Sequence, residues 1–175
     1  MSSASDIFRR VVAEDHVDRI MQQWRRERPE VDVSPQGVIG RLHRVAARLT
    51  EELVRVYAAH GLGEGEFDVL ATLRRSGPPY SLTPGELAEQ TMVTTGAVSK
   101  RVDRCELNGW VARGPDDRDG RARRIALTPA GRGLIDRAFT AHMENEHRLV
   151  AMLEPGDRAL LADLLRRWGG ELGVP

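Results

Sequence analysis

The sequence predicts a mainly helical chain that carries one small β-hairpin, and three observations predict it. Apolar residues recur at spacings of three and four over most of the 175 residues, the period of an amphipathic helix. Prolines, glycines and hydroxyl residues stand at the ends of those runs, where helices start and stop. Two short runs, Trp110-Val111-Ala112-Arg113 and Arg124-Ile125-Ala126-Leu127, have β-strand character and flank a link rich in Gly, Pro and Asp, as in a hairpin with a long loop.

In chain order, Ile7, Phe8, Val11, Val12, Val17, Ile20, Met21 and Trp24 draw one apolar stripe on a first helix, capped by Asp6 or a nearby serine and stopped near Arg28 by Pro29. After a linker, Ser34 as N-cap and Pro35 at the first helical position open a long helix. Val38, Ile39, Leu42, Val45, Ala46, Leu49, Leu53, Val56 and Tyr57 keep its period until Gly61. Glu66 to Arg75 is a short helix with Phe67, Leu70 and Leu73 on one face, ended by Gly77-Pro78-Pro79.

Thr83, Pro84 and Glu86 form a capping box for another short helix, and Thr91 to Thr94 reads as a turn with a second hydroxyl cap. The helix from Thr95 to about Asn108, stopped by Gly109, buries Val98, Val102 and Cys105 and turns Thr95, Ser99, Lys100 and Asp103 outward. After the hairpin, Thr128-Pro129 caps a long helix carrying Leu134, Ile135, Ala138, Phe139, Leu149, Val150 and Leu153, broken by Pro155-Gly156. A last helix carries Ala159, Leu160, Leu164, Leu165 and Trp168 and dissolves at Gly169-Gly170.

Helix, turn, helix, strand, charged link and strand, in that order, is the plan of a winged helix-turn-helix. A helix fits the major groove of duplex DNA, and Thr94, Thr95, Ser99 and Lys100 bring hydroxyl and cationic groups to the start of the second helix. From Arg113 to Arg124 there are five arginines against three aspartates, and Arg118 and Arg121 are placed to meet a minor groove or phosphates. Because the whole chain balances 26 basic against 26 acidic residues, any footprint on nucleic acid has to be local. A chain of this length buries one core, or one core plus a helical interface. The single cysteine closes no internal disulfide and no leader or membrane-spanning stretch is apparent, so the expected location is the cytoplasm.

With those residues in place, the chain from about 35 to 168 resembles the MarR family of bacterial transcription regulators. The resemblance rests on Asp119-Gly120-Arg121 followed by Leu127-Thr128-Pro129-Ala130-Gly131, similar to the family's wing signature. It implies that Asp119 and Arg121 brace the wing and that the helix after the turn reads the major groove. It also implies a homodimer, built on interlocking N- and C-terminal helices, that binds a double-stranded pseudo-palindromic operator. The corresponding regions are 1–34 for the N-terminal helix and linker, 35–62 plus 129–175 for dimerisation, and 63–128 for DNA binding.

The added N-terminal helix is similar to that of the urate-responsive branch of the family. That likeness implies a ligand site made of Trp24, Asp68 and Arg101 for an effector that is urate-like, phenolic or a carboxylate. The chemistry is coherent: an aromatic wall for a planar ring, a guanidinium for an acidic group and a carboxylate to accept an N–H. Each residue also has a plainer reading. Trp24 on an apolar stripe is ordinarily packing, Asp68 is a charge near a helix start, and Arg101 has Asp68 or a phosphate as a partner.

Other candidates are weaker. Cys105 shares a face with Val98 and Val102 and reads as buried packing. His142, Glu146 and His147 lack a third metal ligand at firm spacing and read as a solvated face. His16, His43 and His60 are isolated. No nucleophile with a base, phosphate-binding glycine loop or metal motif is present, and no cofactor is implied, so an enzyme is disfavoured. The reading is a ligand-responsive DNA-binding regulator, a repressor in its simplest form; the competing reading is a constitutive or architectural DNA-binding protein.

Overall fold

The computed structural model describes residues 13–91, 95–115 and 123–174. In order, the elements are α1 (His16–Glu27), α2 (Gln36–Ala59), α3 (Glu64–Arg75), β1 (Ser81–Leu82), α4 (Pro84–Thr91), α5 (Thr95–Leu107), β2 (Val111–Pro115), β3 (Arg123–Leu127), α6 (Pro129–Val150) and α7 (Pro155–Glu171). The chain divides into two compact units, residues 1–51 and 52–175.

In the first unit, α1 starts later than the sequence pattern suggested. Its N-cap is Asp15, not Asp6: the Asp15 carboxylate accepts from the backbone N–H of Val17 and Asp18 at 2.7 and 2.9 Å, and Asp18 accepts from the N–H of Asp15 at 3.0 Å. This reciprocal box fixes the start, and residues 1–12, with Ile7 to Val12, lie outside the described residues. Val17 and Met21 are buried with Val33. A methyl group on Gly40 would stand 3.3 Å from Val17, so the bare backbone lets α1 approach α2 closely. Arg41 ties the two helices by pairing with Asp15 at 2.8 Å and Asp18 at 2.7 Å.

Ser34 is not the cap expected for α2. Its hydroxyl and its N–H both donate to Asp32, at 2.9 Å each, a local side-chain turn of the kind that competes with capping. Pro35 still belongs to the opening turn, its carbonyl accepting from Ile39 N–H at 3.0 Å.

Among the described residues, the second unit has one core. Val69, Leu70 and Leu73 of α3, Leu87 of α4, Val98, Val102 and Cys105 of α5, Val111 and Ile125 of the sheet, and Ile135 and Ala138 of α6 are all essentially inaccessible. Apolar burial at helical spacing is what stabilises such short helices, since propensity alone does not. The last turns of α2 join this core through Tyr57, stacked on Phe67 with ring centroids 4.0 Å apart. α2 closes as expected, with Gly61 at φ 73° and Leu62 N–H bonded to Tyr57 carbonyl at 3.0 Å, a left-handed glycine cap.

The sheet has three strands in the order β1-β3-β2, all antiparallel. β3 is central, with Ala126 opposite both Ser81 and Ala112. Two runs were visible in the sequence and the third, Ser81–Leu82, was not, because two residues are too few to show a period. α7 also runs further than expected, through Gly169 and Gly170 to Glu171. A glycine costs a helix about 1 kcal/mol without forbidding it, and the helix ends instead at Gly173, φ 69°, with Val174 N–H on the carbonyl of Gly169 at 2.9 Å.

Candidate DNA-binding surface

The surface is built on α4 and α5. Thr83 and Glu86 make the expected capping box, with Thr83 N–H donating to Glu86 at 2.7 Å and Glu86 N–H to Thr83 Oγ1 at 3.2 Å. Thr91 closes α4 rather than opening the turn, its hydroxyl donating to the Leu87 carbonyl at 2.7 Å. α5 buries Val98, Val102 and Cys105 as its spacing predicts and exposes Ser99, Lys100 and Asp103 on the opposite side. Thr95 is the first residue of α5. Thr94, Arg118, Asp119 and Arg121 lie outside the described residues.

α5 is gripped by charge on two flanks. Toward α3, Arg101 donates to Asp68 at 2.9 Å, and Arg104 forms an ion pair with Glu66, whose residue is 8% exposed. The Arg101 stem passes over Gly65, where a Cβ would come within 2.8 Å of its Nε. Toward the sheet, Arg113 of β2 pairs with both Asp103 and Glu106. Arg124 is likewise committed, donating to the Ser81 carbonyl at 2.7 Å and hydroxyl at 3.1 Å. Two of the five arginines of the hairpin segment are thus engaged inside the fold, Arg113 by carboxylates and Arg124 by Ser81.

Asp68 and Arg101 are therefore brought together, each partly exposed. Trp24 belongs to the first unit and is 47% exposed, so it is not the core residue that its place on an apolar stripe suggests. The stripe narrows because α1 turns only Val17 and Met21 fully inward.

Below this surface, the helix α6 is set by Thr128 and Gly131. The Thr128 hydroxyl accepts from Gly131 N–H at 3.0 Å and donates to the Gly109 carbonyl at 2.7 Å. A Cβ on Gly131 would lie 1.9 Å from the Trp110 carbonyl oxygen. The glycine of the Leu-Thr-Pro-Ala-Gly run is thus required by a close backbone approach.

Cys105 is buried, and burial, reinforced by Glu66, pushes its thiol up to about 12, which suppresses thiolate chemistry. His142 is not on a solvated face: it packs against Tyr57, Phe67 and Phe139, with centroids 5.7, 5.1 and 5.8 Å away. The helical turn that pairs it with Glu146 also aims its ring at the end of α2, which the local pattern cannot reveal. His60 is half-buried beyond the end of α2, while His16 and His43 are exposed on α1 and α2.

The fold and this surface have known counterparts. Residues 60–122 match the model of the MarR family. The chain is 40% identical over 151 residues to the HTH-type transcriptional regulator PecS of Dickeya dadantii, covering 86% of this chain and 91% of that protein. Among solved structures, it resembles a cysteine-to-serine variant of MarR from E. coli complexed with operator DNA, with TM-score 0.67 and 26% identity over 78% of this chain and 98% of that one. It also resembles Sco3205, a MarR family transcriptional regulator from Streptomyces coelicolor in complex with DNA, with TM-score 0.69 and 26% identity over 81% of this chain and 94% of that one. No helix among the described residues is long and apolar enough to cross a membrane. With the winged helix-turn-helix fold in place and identity sustained along nearly all of PecS, the chain belongs to the MarR family of DNA-binding transcriptional regulators.

Proposed function

We propose that the chain is a repressor that binds a pseudo-palindromic operator as a homodimer and is released by a small anionic or aromatic compound. The ion pair of Arg101 with Asp68 at 2.9 Å carries this reading. It joins α3 to α5 at a partly open position, so an anion that takes Arg101 from Asp68 acts directly on the helix that presents Ser99 and Lys100. Thr94, Thr95, Ser99 and Lys100 meet the major groove, Arg118 and Arg121 extend the contact through the wing, and Asp119 with Arg121 braces it. Trp24 supplies an aromatic face for the effector, consistent with its exposure.

Dimerisation is supported by unpartnered apolar surface. α7 has no buried residue, and Leu160, Leu161, Leu164 and Leu165 are each more than 40% exposed. A helix of this kind in water needs a second apolar face. Two copies fix two half-sites about 34 Å apart or a multiple of that, and a ligand releases DNA only if it prefers the conformation that fails to span them.

The test is a mobility-shift assay on the DNA flanking the protein's own gene, with and without urate, phenolic and carboxylate compounds, on wild type and Arg101→Ala. The expected result is a retarded complex that one compound class dissolves for wild type and not for the variant. A variant released with the same ligand dependence overturns the pocket; binding that no compound alters favours the constitutive reading.

A further inference from the structure

We propose that Arg113 is a positioning residue for DNA binding: it masks the two carboxylates of the recognition helix α5 and locks that helix to the first strand of the wing. α5 presents Ser99, Lys100 and Asp103 on one exposed face, because residues three and four apart are neighbours on a helix. A carboxylate there lies one turn from the groups that approach DNA, where it opposes phosphate. Asp103 is 63% exposed at its side chain, and Glu106, 39% exposed, lies one turn further along.

Arg113 answers both. One Nη pairs with Glu106 and the other with Asp103, and Glu106 also accepts from the Arg113 backbone N–H at 3.2 Å. Glu106 thus holds the strand by backbone and side chain together. The rigid planar fork holds the two carboxylates in fixed directions, which the point charge of an ammonium does not. Burial works against the charge of Arg113, whose side chain is 25% exposed, but the two carboxylates more than offset it and hold the guanidinium above its usual range.

The clamp closes a short loop. Between Glu106 and Arg113 the chain turns at Gly109, φ 72°, and Trp110 N–H bonds to the Cys105 carbonyl at 2.9 Å. The direction in which β2 leaves α5 is therefore fixed at Cys105 by the backbone and at Arg113 by charge. The pairs of Arg101 and Arg104 with α3 lie on other partners, and the role assigned to Arg113 does not depend on any ligand.

The experiment measures affinity for a duplex that the wild-type chain has itself selected from a random-sequence pool. Arg113→Ala is expected to weaken binding about tenfold to a hundredfold, and adding Asp103→Asn and Glu106→Gln is expected to recover most of that loss, since close charges couple non-additively. Arg113→Gln, which keeps the stem and its packing, is run in parallel and is expected to show the same loss and the same recovery. Arg113→Lys should fall between, with charge retained and the fork lost. Recovery by the amide pair in either background supports masking, because a merely structural arginine is not replaced by removing its partners. Failure of the amide pair to recover binding in both backgrounds, or wild-type affinity of Arg113→Ala and Arg113→Gln, overturns the proposal.

Discussion

Gly131 shows how much one residue decides. Thr128 caps α6 and reaches back to Gly109, which draws the first turn of the helix against the Trp110 carbonyl. A Cβ at Gly131 has no room at 1.9 Å from that oxygen. Gly131→Ala should destabilise the chain by roughly 1–3 kcal/mol through displacement of the backbone, read as a lower midpoint in urea unfolding; an unchanged midpoint would show that the turn yields at no cost. The motif containing this glycine was legible in the sequence, but its cause was not, since Trp110 stands far back in the chain, in the turn between α5 and β2. Asp68 and Arg101 were named together on family likeness, and they do pair. The partners of Arg113, Arg104 and Arg124 were not foreseen, because pairing across elements leaves no local period.

Among the elements, those with caps were the most legible. The α4 capping box and the glycine ends of α2 and α5 follow from local hydrogen bonding, and they stand where the residues place them. The start of α1 was misplaced because an apolar stripe continues upstream of Asp15 while the real cap, Asp15 with Asp18, lies within it. This cap is linked to Arg41. The Arg41 guanidinium, then the backbone N–H of Asp18, holds the Asp15 carboxyl well below the usual carboxylate range, and Arg41 does the same for Asp18. Depressed folded values mean that the contribution is fully present above the unfolded value of about 4 and is lost as pH falls through the folded ones. Amide exchange in α1 should therefore separate wild type from Arg41→Gln most at neutral pH, with the two converging in acid. A separation that does not change with pH would assign Arg41 a packing role only.

At the scale of the whole molecule, composition was a poor guide to function. Charge balances over the chain, and the excess of arginine near the hairpin is partly consumed by Asp103, Glu106 and Ser81. What identifies the activity is the order of elements and the face that α5 leaves exposed, on a fold shared with two regulators solved on DNA. The exposed leucines of α7 belong to the same level: a sequence shows their spacing, while their exposure among the described residues appears only in the structure. We propose that the exposed face of α5 reads bases. It is tested by the affinity of wild type, Ser99→Ala and Lys100→Ala for every single-base-pair variant of a selected duplex. The predicted result is a loss of about 1–3 kcal/mol at one or two adjacent base pairs in each half-site, with discrimination relaxed there in the variant. Loss spread evenly over all sequences, or no loss in either variant, would contradict it.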